Sequence, residues 1–128
     1  MPRYAVELLE EKLGDLKDTM VCVLGVAYRG GVKEAAFSGV FDLVKNLAER
    51  GSIPRVSDPL YSDEEIRDLG LSPLENSDKP VALIVQADHD EYRALQQSDF
   101  PEVRTIVDGR GLIPSETWPA AQILRIGT

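Results

Sequence analysis

The segment Met20–Val26, with the sequence MVCVLGV, carries the clearest strand pattern in this 128-residue chain and sets the expected architecture. It is short, apolar and rich in β-branched side chains, and Gly25 lies near its end, which is typical of a strand buried on both faces of a sheet. The run Val81–Gln86 has the same character. Shorter strand patterns occur at 55–57, 105–108 and 122–126.

A helical pattern separates the first two strands. Apolar side chains recur at helical spacing from Val40 to Ala48, Gly51 is the predicted stop, and Ser38 is the predicted N-cap. Strands that alternate with helices over short connections indicate an α/β fold: a Rossmann-like three-layer sandwich with a mainly parallel sheet, helices on both faces, and an N-terminal helix in front.

Two further helix starts are predicted from capping boxes. Ser62 and Glu65 have the required spacing and predict a helix over 63–69. Asp88 and Glu91 have the same spacing and predict a short helix that continues through Leu95.

The first helix carries an apolar seam with spacings of three and four, formed by Val6, Leu9, Leu13 and Leu16. This pattern has two interpretations. The helix is either the end of a longer, self-associating helix or an ordinary N-terminal helix that packs on the core.

Composition narrows the function classes. The chain is 43% hydrophobic and 28% charged, in the ordinary globular range, with a formal net charge of -8. The negative charge argues against general nucleic-acid binding, which needs Lys and Arg to neutralise phosphates. Apolar runs are too short to cross a membrane, and we expect no signal peptide before the first helix. The lone Cys22 cannot form an intramolecular disulfide, so the predicted location is cytoplasmic.

Polar or glycine-bearing segments follow four predicted strands, and ligands of parallel sheets bind beyond these carboxyl ends. The segments are Gly25–Gly31, Asp58-Pro59, Ala87–His89 and Asp108–Arg110. Gly25–Gly31 is either a phosphate-binding turn or a plain glycine loop. It matches neither G-x-G-x-x-G nor the P-loop pattern.

Two arginines stand out because they follow different strands. If Arg29 and Arg110 share one edge of the sheet, their guanidinium groups suit a diphosphate. The alternative is two solvated surface arginines. Asp58 either meets a ribose hydroxyl or forms a plain turn before Pro59.

No catalytic constellation or metal site is predicted. Cys22 lies inside an apolar strand, where a thiol behaves as a small hydrophobe. His89 is the only histidine and lacks metal-ligand neighbours, so capping or packing at a helix start is favoured over general-base chemistry.

Several segments together resemble the C-terminal domain of the UDP-glucose/GDP-mannose dehydrogenase family. Gly25–Arg29, followed by Ser38 and Asp42, resembles the family's G-L-A-[YF]-K … D-D-x-R-x-S-P-x-x-D segment. The other segments come in the family's order: Val56–Pro59 resembles V-x-D-P, Ala87–Tyr92 resembles [TA]-D-H-x-E-[FY], and Val107–Arg110 resembles V-D-[GT]-R.

The beginning of the chain adds to this resemblance. Met1–Val6 is similar to M-P-x-Y-V-V, near the end of the long helix that joins the family's two halves. The resemblance therefore implies that residues 1–18 end a connecting and dimerisation helix and that residues 19–128 form the UDP-binding domain.

The resemblance also implies a function. The family oxidises the C6 hydroxyl of a UDP-sugar with two NAD molecules, through a cysteine held in an N-terminal half. Tyr28, Arg29 and Arg110 match substrate-binding positions, with Arg29 where the family usually has lysine. Arg110 matches an arginine that often reaches across a dimer interface, which implies a homodimer. NAD and catalysis would depend on the N-terminal half, and the chain alone is predicted to be inactive.

Three departures from the family pattern concern the loop after the first strand. Ala36 replaces an arginine linked to the NAD pyrophosphate, Gly39 replaces the proline, and Lys33-Glu34 replace the acidic pair. Lys33 is an additional candidate contact because it returns positive charge to this loop. Tyr28 and Asp88-His89 are more similar to the UDP-N-acetylmannosamine or N-acetylglucosamine branch than to the UDP-glucose branch.

Three hypotheses therefore stand. The first is the substrate-binding domain of a UDP-N-acetylhexosamine 6-dehydrogenase. The second is a diverged, non-catalytic nucleotide-binding or regulatory module. The third is a Rossmann-like interaction domain without a small ligand, which predicts that Arg29 and Arg110 lie far apart.

Overall fold

The computed structural model describes residues 2–36 and 38–126. Five parallel strands form one sheet in the order β2-β1-β3-β4-β5, so the predicted α/β fold with a parallel sheet is confirmed. The strands are β1 (Met20–Leu24), β2 (Ile53–Ser57), β3 (Ala82–Val85), β4 (Thr105–Asp108) and β5 (Gln122–Arg125).

Within the described residues, three α-helices accompany the sheet: α1 (Pro2–Leu13), α2 (Val40–Glu49) and α3 (Asp63–Asp68). Met1, the first residue of the M-P-x-Y-V-V-like segment, and Gly127-Thr128, the end of the predicted UDP-binding domain, lie outside the described residues. No helix in the described ranges is both long and apolar enough to span a bilayer.

Alternation along β1 creates two apolar layers. Val21 and Val23 belong to the cluster that contains the buried faces of α1 and α2. Cys22 and Leu24 belong to the opposite cluster, with Tyr92, Ile113 and Trp118 among its members. Successive side chains of a strand point to opposite faces, so β1 is covered on both sides as its sequence predicted.

The layer that covers the Cys22 and Leu24 face of the sheet differs from the predicted layer of α-helices. Short 3₁₀ helices at Asp90–Ala94, Gln97–Asp99 and Ser115–Thr117 lie in the connections that supply it, and no α-helix occurs there among the described residues. Prolines 101, 114 and 119 interrupt these connections, and proline removes a donor that a continuous helix needs.

The apolar seam of α1 faces the core. Val6, Leu9 and Leu16 are fully buried in the same cluster as α2, and the helix ends at Leu13 before Gly14, whose φ is 81°. Among the described residues, the seam packs on the core of this chain, as an ordinary N-terminal helix does. That α1 is the end of a longer connecting helix stays a prediction.

One predicted cap is confirmed and two are wrong. Ser62 and Glu65 form the expected capping box of α3. The N-cap of α2 is Gly39, and Ser38 lies one residue earlier with its Oγ accepting from the Val40 N–H. The Asp88 box is absent because that carboxylate accepts from the N–H of Gly30 in a neighbouring loop.

The strand order reverses direction at β1, because the chain first adds β2 on one side and then β3 on the other. In a parallel sheet this reversal opens a crevice between the loops that follow the two central strands. Here those loops follow β1 and β3.

Candidate functional site

Two glycines allow the loop after β1 to pack against the loop after β3. A Cβ on Gly25 would lie 2.5 Å from the Cβ of Ala87, and one on Gly30 would lie 2.2 Å from the carbonyl oxygen of Asp88. Both distances are too short for any side chain. These glycines are therefore explained by loop packing, not by a need to admit an anion.

The N–H groups of the β1 loop already have protein acceptors. Val26 and Ala27 donate to Asp58 Oδ2 at 2.7 Å and 3.0 Å, Gly30 donates to Asp88, and Gly31 donates to His89 Nδ1 at 3.0 Å. A phosphate-binding turn needs free donors that converge on one point. This loop is closed by carboxylates and a histidine, so anion binding here would depend on side chains.

Asp58 is the main brace of this loop. Its side chain is fully buried and accepts four hydrogen bonds, from the N–H groups of Val26, Ala27 and Leu60 and from His89 Nε2 at 2.9 Å. These four contacts satisfy both oxygens of the buried carboxylate. The structure gives Asp58 a positioning role and leaves it no surface to offer a ribose.

Asp108 braces the second arginine-bearing loop in the same manner. Its buried carboxylate accepts from the N–H groups of Arg110, Gly111 and Ile113 and from the guanidinium of Arg125 at 2.7 Å. The direction in which the chain leaves β4 is thereby fixed at Arg110.

Gln86 connects the two loops. Its side-chain amide donates to the main-chain carbonyls of Gly25 and Ala27 at 2.9 Å and 3.1 Å. The main-chain carbonyl of Gln86 accepts from Arg110 Nε at 3.0 Å. One residue at the end of β3 therefore touches both the segment that leads to Arg29 and the side chain of Arg110.

Asp88 lies between the positions that carry the two arginines. The N–H of Gly30, the residue after Arg29, is the largest influence that holds the pKa of Asp88 below its ordinary value, and the charge of Arg110 lowers this pKa further. Both arginines are exposed. Within the described residues, neither forms an ion pair, so their charges are available to a ligand.

Tyr28 and Lys33 have different surroundings on the same loop. Tyr28 is 50% exposed beside Arg29 and presents its ring to solvent. Lys33 pairs with Glu65 and lies over the ring of Tyr61 at 5.3 Å. The bond from Lys33 is the largest influence that lowers the pKa of Glu65. The extra charge expected of Lys33 is thus largely compensated.

The structure gives Cys22 no reactive character. Its side chain is fully buried, and burial raises the pKa of the thiol to about 12, so the nucleophilic thiolate is not formed at neutral pH. Across the described ranges, no group of three or more His, Cys, Asp or Glu side chains is arranged to hold a metal ion.

The loop does not fit an NAD pyrophosphate at the position the family pattern assigns to it. Ala36 is exposed and carries no charge, and its N–H donates to the Glu34 carboxylate at 3.0 Å. Ala36 supplies no cation that could pair with a pyrophosphate. We therefore assign no NAD contact to these residues.

Concave surfaces also occur among the described residues. An open depression of about 500 Å³ lies beside the Arg110 loop and is lined by Arg93, Gly111, Leu112, Ile113, Pro114 and Arg125. A second, of about 260 Å³, lies at the amino ends of β3 and β4, where Glu75, Asp78, Asp99 and Glu102 make it unsuitable for an anion.

The sequence pattern does not predict the residues that support this edge. It predicts Gln86 as the end of a strand, Asp88 as a helix cap, and Asp108 as part of a strand end. A usable signal was the repeated occurrence of an aspartate at the carboxyl end of a strand, at Asp58, Asp88 and Asp108.

The strand order, with its reversal at β1, is that of doubly wound α/β domains. Such domains hold a ligand beyond the carboxyl ends of their strands, at the point where the order reverses. Residues 22–115 match the family model described as "UDP-glucose/GDP-mannose dehydrogenase family, UDP binding domain". The chain belongs to this family.

Curated relatives include enzymes named for two different sugars. The chain is 28% identical to the UDP-glucose 6-dehydrogenase of Rickettsia bellii over 85% of its length, and 25% identical to the UDP-N-acetyl-D-mannosamine dehydrogenase of Methanocaldococcus jannaschii over 92%. It spans only 27% and 28% of these two relatives.

Solved structures agree on the fold. A UDP-glucose dehydrogenase from Pyrobaculum islandicum superposes with a TM-score of 0.77 at 28% identity, over 98% of this chain and 29% of that one. The UDP-D-ManNAc dehydrogenase of Pyrococcus horikoshii gives a TM-score of 0.74 at 21% identity, over 98% and 30%.

Proposed function

We propose that this chain binds the UDP part of a nucleotide sugar and serves as the substrate-binding domain of an NAD-dependent nucleotide-sugar 6-dehydrogenase. The observation that carries the proposal is the sheet edge beyond β1 and β4, where Arg29 and Arg110 are exposed and form no ion pair within the described part of the chain. Gln86 bonds both the Arg110 guanidinium and the loop that leads to Arg29. Two cations at one edge of the sheet suit a diphosphate.

Different residues of this edge would bind the ligand and hold the loops in place. Arg29 and Arg110 supply the charge that a diphosphate requires, and Tyr28 offers an exposed ring beside it. Asp58 and Asp108 hold the two loops by their main chains. Because the braces are rigid and buried, little conformational entropy is lost when the ligand binds.

The proposed reaction needs more than this chain provides. The chain spans under a third of the relatives it matches, and its only cysteine is buried in β1. We propose that an N-terminal half supplies NAD and the reactive cysteine in a homodimeric cytoplasmic enzyme. Binding energy held on UDP would then orient the distant sugar for oxidation.

A titration of UDP into the purified chain by calorimetry tests the binding site. We expect saturable binding that Arg110→Ala weakens at least tenfold, because a charge-assisted hydrogen bond is lost. Arg104→Ala, at the opposite end of β4, is the matched control and should bind UDP like the parent chain. Equal affinity in all three proteins would contradict the proposal, and NAD should give little response.

An activity assay tests whether catalysis needs the N-terminal half. With NAD and a UDP-sugar, the chain alone should form no NADH above background. NADH formation by pure chain would overturn the assignment of catalysis to another half.

Membership of the family does not specify which sugar the nucleotide carries. We propose a UDP-N-acetylhexosamine, because Tyr28 and the Asp88-His89 pair match that branch in the sequence. Since the relatives include enzymes of both kinds, competition between UDP-N-acetylglucosamine and UDP-glucose for the full enzyme is the relevant test. A preference in turnover for UDP-glucose would exclude the N-acetyl assignment.

One observation favours the second candidate, a diverged non-catalytic nucleotide-binding module. Ala36 and Glu34 provide no cation at the position linked to NAD. A coding sequence that continues upstream into a G-x-G-x-x-G strand–helix unit would favour the enzyme. Binding of UDP without such a unit would favour the module.

A further inference from the structure

His89 lies at the point where the loops after β1, β2 and β3 meet. Its ring is 1% exposed and packs edge-on against Tyr92, with ring centroids 5.5 Å apart. Nε2 lies 2.9 Å from Asp58 Oδ2, and Nδ1 lies 3.0 Å from the backbone nitrogen of Gly31. Both ring nitrogens are therefore engaged by other loops.

These partners define the tautomer. The Gly31 N–H can only donate, so Nδ1 must carry a lone pair and accept. The ring proton then lies on Nε2 and is donated to the carboxylate of Asp58. The imidazole is thus oriented in one direction by a donor on one side and an acceptor on the other.

The contact to Gly31 reaches the turn that carries Arg29. Arg29 and Val32 form an isolated antiparallel bridge with Gly30 and Gly31 at the tip, where Gly31 has a φ of 74°. The two glycine N–H groups are bound by Asp88 and His89. The orientation of this turn is therefore set from outside by the loop after β3.

We propose that His89 is a positioning residue for the ligand site, which holds the Arg29 turn through its Nδ1 lone pair while its Nε2–H anchors it to Asp58. The two ring nitrogens have separate tasks: the acceptor fixes the turn, and the donor stabilises the buried carboxylate. The part of this inference that concerns ligand rests on the proposed UDP site.

A matched pair of variants separates the two tasks. His89→Asn places an amide oxygen near the position of Nδ1 and keeps an acceptor for Gly31, but it does not reach Asp58. His89→Gln places an amide nitrogen near the position of Nε2 and keeps a donor for Asp58, but it offers Gly31 no acceptor.

Calorimetry with UDP and thermal unfolding should rank the variants in opposite orders. We expect His89→Gln to raise the UDP Kd about tenfold and His89→Asn to change it less than about threefold. We expect His89→Asn to have the lower Tm, because Asp58 loses a donor. If both variants weaken UDP binding equally, or if Asn weakens it more, the positioning role is wrong.

Nitrogen-15 NMR tests the same inference without ligand. Because the chain has one histidine, the imidazole signals report His89 alone. We expect the Nε2–H tautomer in the parent chain and a shifted Gly31 amide in His89→Gln but not in His89→Asn. A proton on Nδ1, or an unchanged Gly31 amide in His89→Gln, would overturn the proposal. If the parent chain binds no UDP, the proposed function fails, and these signals still decide the role of His89.

Discussion

Two buried aspartates hold the main chain of the loops that carry the exposed arginines. Asp58 follows β2 and binds the main chain of the loop that leads to Arg29, while Asp108 ends β4 and binds the main chain at Arg110. In each case a carboxylate without exposed side-chain surface satisfies N–H groups that would otherwise need water. The arginines can remain free for a ligand because other residues fix their loops.

Asp58→Asn should lower the free energy of unfolding by about 3 kcal/mol, because an amide has one acceptor oxygen where the carboxylate has two, and its NH₂ group would face N–H donors. Urea unfolding measures the change. Asp68→Asn on the exposed end of α3 is the control, and it should stay within about 0.5 kcal/mol of the parent chain. Equal stability of the two variants would contradict the bracing role.

Gly30→Ala should lower the free energy of unfolding by about 2 kcal/mol. The new Cβ would lie 2.2 Å from the backbone oxygen of Asp88, which cannot move freely. Gly109→Ala is the matched control, since the nearest atom to its Cβ would be Ile126 Cγ1 at 3.6 Å, an ordinary contact. Neither glycine has a positive φ. A Gly30→Ala chain as stable as Gly109→Ala would show that the two loops separate easily.

At the scale of elements, β1 and β3 could be predicted because both are continuous apolar runs. Contacts between distant loops could not, since the partner of Asp88 is 58 positions away in sequence and local spacing suggested a cap instead. The seam of α1 was ambiguous for the same reason. Spacing shows which face of a helix is apolar, but not whether the core or a second chain covers it.

Leu9→Ala should lower the free energy of unfolding by about 3 kcal/mol, because Leu9 is fully buried between α1 and the core. Leu13→Ala, at the partly buried end of the same helix, should lose clearly less. Chemical denaturation gives both values. Sedimentation should show the same mass for both variants and the parent chain. A change in mass caused by Leu9→Ala would restore the seam as a self-association surface.

At the scale of the molecule, the net charge of -8 and the proposed anionic ligand are compatible only because charge is distributed unevenly. The acidic depression lies at the amino ends of β3 and β4, while the exposed arginines lie at the carboxyl edge. The sequence located this edge through the strand pattern. It did not reveal that the glycine loop is closed by protein acceptors, because those acceptors come from two other loops.

A comparison of UDP, UMP and uridine by calorimetry tests whether two guanidinium groups hold a diphosphate beyond the carboxyl ends of the strands. If they do, affinity for the parent chain falls at each removal of a phosphate, by about tenfold or more in total. The difference should shrink in Arg110→Ala. Uridine that binds as tightly as UDP would contradict the account, because the arginines would then have no role in binding.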